Sequence, residues 1–263
     1  MKIVVCMKQV PLGTDVEIDQ ETGSMKRLSG ATRTNPYDLF ALEAALRLRE
    51  EKGGTVTVLS MGPEQATSMM KDAYFCGADD AVILSDKKFA GADVLATSYT
   101  LSQGIKMLGG ADIIICGKQT TDGDTAQVGP ALAEHLGIPH AAWVAEIMEI
   151  TDGDVTVRQD FGSMTQISKL TLPCLISVDA NTNVPRLPSY KIKQQYKDKP
   201  VKIVSYDDLP SSNLSLFGLV GSPTSVERMF APEAMERQVH IEGNSPEDKA
   251  EGLFDTLKKI KVI

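Results

Sequence analysis

The sequence predicts an α/β protein built on a doubly wound, mostly parallel sheet. Three observations predict it: short β-branched apolar runs recur through the first half, helical spacing fills the gaps between them, and Pro and Gly stand where helices should start and stop. The runs are Ile3 to Cys6, Thr55 to Ser60, Ala81 to Leu84 and Ile113 to Cys116. They are short and apolar throughout, as strands buried on both faces should be. Between them Leu39, Leu42 and Leu46 share one helical face, as do Leu101, Ile105 and Leu108, and then Val128, Leu132 and Leu136. Asn35-Pro36 reads as a helix start, with Asn as N-cap and Pro pre-shaped for the first turn. Gly62-Pro63 repeats that logic, and Gly53, Gly77, Gly109 and Gly137 fall where these helices should end. Strand–helix–strand repetition of this kind implies parallel pairing through right-handed crossovers.

Two stretches break the rhythm. Residues 12–30 are polar, with Thr22-Gly23 between short strand-like pieces, and predict a hairpin inserted after the first strand. Asp152-Gly153 separates Ile147–Ile150 from Val155–Gln159, a hairpin turn signal, and Leu172 to Val178 supplies a further buried strand. From Asn181 the pattern dissolves into a basic, proline-marked stretch: Pro185, Pro188, Lys191, Lys193, Lys197, Lys199 and Lys202. A Ser/Pro-rich run around Gly221 to Ser225 follows, then a final helix near Pro246–Ile260. The expected organisation is an α/β domain over residues 1–180, with a docking loop and C-terminal arm over 181–263. A long tail without an evident core usually wraps something. Leu214, Leu216, Phe217, Leu219, Met229 and Phe230 are expected to need a partner surface, leaving the isolated chain unstable or prone to aggregate.

Composition excludes several functions. A net charge of -8 over 263 residues argues against nucleic acid as the main partner, because phosphate backbones reward clustered Lys and Arg. No apolar run approaches the roughly 20 residues that cross a bilayer. Met1 to Cys6 reads as a first strand rather than a signal peptide, so the expected location is the cytoplasm. Cys6, Cys76, Cys116 and Cys174 form no C-x-x-C pair, and His135, His140 and His240 are equally scattered. Neither a zinc site nor a nucleophile–base pair emerges, and small buried thiols are the plain reading. Any redox chemistry must come from a bound cofactor.

In open α/β sheets ligands bind beyond the carboxyl ends of the strands, where strand order reverses. Val5 to Lys8, Ser60 to Pro63 and the long loop Cys116 to Pro130 arrive there. That loop combines glycines, which let a ligand approach the backbone, with a helix start whose N–H groups attract phosphate. Neither G-x-G-x-x-G nor a Walker lysine loop is present. Asp122 or Asp124 could instead serve simply as a helix N-cap.

Lys8-Gln9-Val10-Pro11, Asn35-Pro36, Met61-Gly62-Pro63, Cys76-Gly77-Ala78-Asp79, Gly117-Lys118-Gln119, Asp122 to Pro130 and Leu172-Pro173-Cys174 occur in that order. Together, and nearly end to end, they resemble the beta subunit of electron-transfer flavoproteins. The resemblance implies an adenine-nucleotide alpha-hydrolase-like, Rossmann-like fold and a heterodimer with an alpha subunit that carries FAD on a mobile domain. The beta subunit of that family holds AMP or, in the bifurcating branch, a second FAD. Contacts to the nucleotide are implied at Cys6, Asn35, Pro36, Tyr37, Asp38 and Met61, and along Gly117, Lys118, Gln119, Thr120, Thr121, Asp122, Gly123, Asp124, Thr125, Ala126, Gln127 and Val128. Asp122 to Val128 is similar to the bifurcating, anaerobe-type members. Phe89 to Asp93, with Thr97, resembles their segment against the second flavin; Val94 stands where a hydroxyl residue is common. Ser163, Met164 and Gln166 depart from the family's signature stretch before Leu172. Pro185, Arg186, Leu187, Tyr190 and Lys191 correspond to the loop that docks a client dehydrogenase, with Arg186, Lys191 and Lys193 as a charged rim. The implied role is an electron-carrier subunit, an oxidoreductase only within its complex, passing electrons from NADH to a client dehydrogenase and, by bifurcation, to ferredoxin. A non-bifurcating carrier with AMP and a stand-alone adenine-nucleotide sensor or hydrolase are the alternatives.

Overall fold

The computed structural model describes residues 1–12, 16–18, 25–27, 31–225 and 239–262. In chain order the elements are β1 (Lys2–Cys6), β2 (Gln9–Pro11), β3 (Val16–Ile18), β4 (Met25–Arg27), β5 (Thr32–Thr34), α1 (Pro36–Lys52), β6 (Thr55–Met61), α2 (Thr67–Cys76), β7 (Asp80–Leu84) and α3 (Val94–Met107). There follow β8 (Ile113–Gly117), α4 (Val128–Leu136), β9 (His140–Ile150), β10 (Asp154–Asp160), β11 (Thr165–Thr171), β12 (Cys174–Val178), α5 (Tyr190–Tyr196), β13 (Lys202–Val204) and α6 (Pro246–Lys259).

A 9-stranded sheet in the order β11-β10-β9-β12-β8-β1-β6-β7-β13 forms the centre. Pairing is parallel from β9 through β13, and β10 and β11 extend the β9 edge as an antiparallel hairpin across Asp152-Gly153. Ile3, Val4 and Val5 are each 0% exposed, which is what a strand covered on both faces requires. Helices α1 and α2 pack Leu42, Leu46 and Met70 on one face; α3 and α4 pack Leu101, Ile105 and Leu132 on the other. The helix stops fall where glycine predicts them. Gly77 (φ 118) and Gly137 (φ 67) end α2 and α4 in the left-handed region, where a side chain is strained. All four cysteines are free and buried.

Topology follows from the connections. From β1 the chain steps outward through β6 and β7, and α3 then carries it back to β8 on the other side of β1. Strand order therefore reverses between β1 and β8. The insertion after β1 pairs β3 with β4, while β2 and β5 pair beside it; the Thr22-Gly23 turn lies outside the described residues.

Past residue 180 the chain returns to the sheet. β13 adds to the β7 edge in parallel register, Lys202 opposite Val82. Phe217, expected to await a partner, is 0% exposed within this chain. Its ring sits 5.6 Å from Phe89, 5.2 Å from Tyr99 and 5.1 Å from Tyr206, a hub that sequence spacing cannot reveal because its members lie far apart along the chain. Leu214, Leu216 and Leu219 stay exposed, and Met229 and Phe230 lie outside the described residues. Two compact units result: Met1–Glu17 with Met25–Glu227, and Ile18–Ser24 with Arg228–Ile263. In the second, Ser245 and Asp248 cap α6 reciprocally and the helix buries none of its residues. Among the described residues no helix is long and apolar enough to cross a membrane.

Replacing Phe217 by Ala removes the centre of the aromatic hub and should lower stability by about 3–5 kcal/mol in urea unfolding. A change below about 1 kcal/mol would show that residues 206–217 are not part of the cooperative core.

Candidate functional site

Strand order reverses between β1 and β8, where open α/β sheets leave a crevice beyond the carboxyl ends of the strands, and one asparagine organises that place. Asn35, 0% exposed, donates its backbone N–H to the Lys8 carbonyl at 2.9 Å. Its side-chain amide donates to the Gln119 carbonyl at 2.8 Å and accepts from Thr121 N–H at 3.3 Å. Asn35 occupies the N-cap position of α1, but its side chain does not cap the helix. The amide instead ties the loop after β8 to the end of β1, and Pro36 removes one N–H that a cap would otherwise have to satisfy.

Asp38, in the first turn of α1, is 5% exposed and accepts the Lys8 backbone N–H at 2.7 Å. Burial pushes its carboxyl up to about 7, against the opposing pull of hydrogen bonds from Lys8, Asn35 and Gly117 and the Lys8 charge. Gly117 is glycine for lack of space: a Cβ there would lie 2.4 Å from Asp38 Oδ1 and 2.7 Å from the Tyr37 carbonyl carbon. Cys6 and Cys116 face each other in register at the ends of β1 and β8 within the α3–α4 core, and the hydrogen bond from Cys6 together with burial pushes the Cys116 thiol well up.

The loop from Lys118 to Gln127 stands out from this base. Asp122 pairs with Lys8 Nζ at 2.8 Å. Burial works to raise its carboxyl, but the Lys8 bond and charge outweigh it and hold it below the ordinary range. Asp124 accepts from the Gln119 side chain and takes a left-handed φ of 52°, as does Ala126 at 55°. Neither acid caps α4, whose N-cap residue is Gln127 and whose first turn receives no side-chain cap. The N–H groups of Val128 and Gly129 are thus left to meet an anion, Pro130 in the same turn having none. Gly123 is not in the left-handed region, and a Cβ there would meet only the Thr120 hydroxyl at 3.4 Å. Nothing in the chain itself demands glycine at that position; close approach of a ligand would.

Other candidates serve different ends. Lys118 Nζ reaches Asp179 at 3.1 Å and lies 3.7 Å over the Trp143 ring, pointing toward β9 and β12. Asp93 caps α3 through Ala96 N–H at 3.1 Å and accepts the Thr224 hydroxyl at 2.8 Å; Val94 and Thr97 lie in the first turn of that helix. Met61 closes β6. α3 packs against α4, so their N-terminal ends lie side by side at this end of the sheet. The strand-end rule places Lys8 at this end of the sheet but assigns it no contact, and sequence reading leaves out Trp143 and Asp179, which meet Lys118 only in the folded chain. Two hollows of about 350 and 370 Å³ open elsewhere, one lined by Arg47, Glu51 and Glu146, the other by Met1, Asp112 and Leu172. Neither includes a candidate residue, and neither gathers chemistry comparable to the crevice. Among the described residues no cluster of His, Cys, Asp and Glu could hold a metal.

Residues 24–209 match the family described as the electron transfer flavoprotein domain. The chain is 41% identical to Protein FixA of Azorhizobium caulinodans over 98% of its own length and 94% of that relative's. It is 42% identical to the electron transfer flavoprotein subunit beta of Clostridium acetobutylicum, over 89% of each chain. Against the caffeyl-CoA reductase-Etf complex subunit CarD of Acetobacterium woodii, identity is 39% over the full length of both.

The raised Asp38 carboxyl gives a pH test. Its folded value of about 7 lies above the ordinary aspartate value, so the folded chain keeps a proton that the unfolded chain releases. Stability from this group is present below about pH 4 and declines until about pH 7. Asp38→Asn should flatten that decline in urea unfolding measured between about pH 4.5 and 7.5. A wild-type-minus-variant difference constant over that range would show Asp38 ionised throughout.

Proposed function

This chain belongs to the electron transfer flavoprotein family, as a beta subunit, and we propose that it holds FAD in the β1–β8 crevice beside an FAD-carrying alpha subunit. FAD bound there would take a hydride from NADH and release its two electrons singly, one toward the alpha-subunit FAD and a client dehydrogenase, the other toward a low-potential acceptor such as ferredoxin. The observation that carries this reading is the uncapped α4 N-terminus at the end of a loop that Asn35 ties to the end of β1.

The chain's own residues supply binding and orientation. The α4 amides and the backbone around Gly123 to Gln127 receive the pyrophosphate, Gly123 allowing its close approach. The Lys8–Asp122 pair offsets one of the loop's two carboxylates, Asp124 keeping its charge, so attraction of an anion there falls to the backbone dipoles. Asp38 and Gly117 form the floor, and Cys6, Met61, Val94 and Thr97 border it from the strand and helix ends. The bifurcating reading draws on the likeness of Asp122 to Val128 to anaerobe-type members. CarD, whose name places it in a reductase–Etf complex, gives independent support for a client dehydrogenase. Client docking is assigned to the segment Pro185 to Lys191, in which Leu187 and Tyr190 are 86% and 75% exposed, as an unengaged anchor should be. The bare apolar residues of α6, Leu253 and Phe254, suit an arm laid on the alpha subunit.

The test is the cofactor content of the co-purified heterodimer after denaturation. Two FAD per pair are expected; one FAD and one AMP would make the chain a non-bifurcating carrier, and no nucleotide at all would remove the site. Gly123→Val should lose the beta-bound nucleotide while leaving the unfolding midpoint of the nucleotide-free chain nearly unchanged, since the added Cβ meets only Thr120. Full retention of nucleotide in that variant would overturn the assignment. Tyr190→Ala should slow client reduction strongly, by the about 2 kcal/mol that a buried aromatic anchor carries, with NADH oxidation by the pair intact. Equal loss of both activities would mean that the segment does not dock the client.

A further inference from the structure

Residues 183–191 repeat every three positions. Asn183, Arg186 and Ser189 form one row, Val184, Leu187 and Tyr190 a second, and Pro185 and Pro188 fall in the third. The first row faces the protein. Asn183 donates its amide to the Phe40 carbonyl at 2.9 Å, and the Ser189 backbone N–H donates to the Phe75 carbonyl at 2.9 Å. The second row faces solvent, with Val184, Leu187 and Tyr190 exposed by 78%, 86% and 75%. A period of three is that of the polyproline II helix, which carries no internal hydrogen bonds and depends on external ones or on proline for its stiffness. Ser189, with φ -85° and ψ 125°, is extended and ends this stretch: its side chain caps α5 by accepting the Ile192 N–H at 3.4 Å, and Tyr190 opens that helix.

The central anchor is the strongest. Arg186 donates from Nε to Glu43 at 2.7 Å and from Nη2 at 3.2 Å, and its backbone N–H reaches the same carboxylate at 3.1 Å. Nη1 and Nη2 also bond Glu50 at 2.5 and 3.1 Å. Arg47, on the same helix, holds Glu43 at 2.7 Å and donates to the Val184 carbonyl at 3.4 Å. The Glu43 side chain is only 5% exposed. Burial works to raise its carboxyl, and the Arg186 and Arg47 bonds more than offset that, so it stays ionised and committed to the arginines. The expected charged rim thus contains Lys191 and Lys193 but not Arg186, whose guanidinium points inward onto α1.

We propose that Arg186 is a positioning residue: clamped between Glu43 and Glu50 of α1, it holds the 183–190 strap rigid and presents Val184, Leu187 and Tyr190 as one apolar row to the client dehydrogenase. This rests on the docking role proposed above for that segment. Preordering the row removes conformational entropy that docking would otherwise have to supply, and an arginine fork suits two carboxylates in a way that a lysine does not.

The experiment uses the intact heterodimer and the flavin dehydrogenase that the wild-type pair reduces. Arg186→Ala should raise KM for that dehydrogenase about tenfold with kcat within about twofold, and should speed amide exchange at Leu187 and Tyr190. Arg186→Lys should recover only part of the loss, and Glu50→Gln, at the exposed end of the clamp, should give a smaller change in the same direction. Cofactor content of the pair should not move. If Tyr190→Ala raises KM while Arg186→Ala alters neither KM nor exchange, the clamp proposal falls and the docking role stands. If Tyr190→Ala has no effect, the docking role fails with it. Should Arg186→Ala not assemble, Arg186→Lys and Glu50→Gln decide: unchanged KM and exchange in both overturns the proposal.

Discussion

Everything in the larger unit hangs on β1, the strand paired in parallel on both edges, to β6 and to β8. Its backbone hydrogen bonds are therefore complete on both sides, and its side chains are covered on both faces. A strand so placed cannot slip by one residue without breaking two ladders at once. Because β6 follows it on one side and β8 on the other, the helices must divide between faces, α1 and α2 against α3 and α4. The crevice beyond β1 and β8 is a geometric consequence of that division, present before any side chain is assigned to it.

What fills the crevice is a small set of polar groups with their hydrogen bonds accounted for. Asn35 gives its amide to a loop rather than to its own helix, which converts a helix start into a strut. Asp38 sits beneath it, buried and surrounded by donors, and Gly117 is left without a side chain because Asp38 and Tyr37 occupy the space. Two lysines near the site are already engaged, Lys8 with Asp122 and Lys118 with Asp179 and Trp143. In an acidic chain that arrangement commits both ammonium groups to other partners, so any anion would meet the backbone N–H groups at the start of α4.

The strap at 183–190 shows the same economy in another setting. Its polar row satisfies carbonyls and carboxylates of α1 and α2, leaving its apolar row exposed. Phe217 shows the opposite outcome for an apolar side chain in an irregular segment, since three aromatic rings from distant parts of the chain close around it. An irregular backbone therefore says nothing about whether its apolar residues are core or surface; neighbours decide it.

Sequence alone sets the alternation of buried strands and helices, the glycine stops, the Asp152-Gly153 hairpin and the loops that follow β1, β6 and β8. These depend on local periodicity and turn chemistry, which act over a few residues. The resemblance carried by motifs such as Asn35-Pro36 and Asp122 to Pro130 likewise needed no coordinates. Tertiary structure alone decided that Asn35 braces a loop instead of capping α1, that Asp122 answers to Lys8 and Asp124 to Gln119, that Phe217 is core, and that Arg186 turns inward to Glu43 and Glu50. Each of the latter joins groups that are distant in sequence or that compete with a local alternative. A side chain with several possible partners is committed only when folding brings one of them within hydrogen-bond or contact distance.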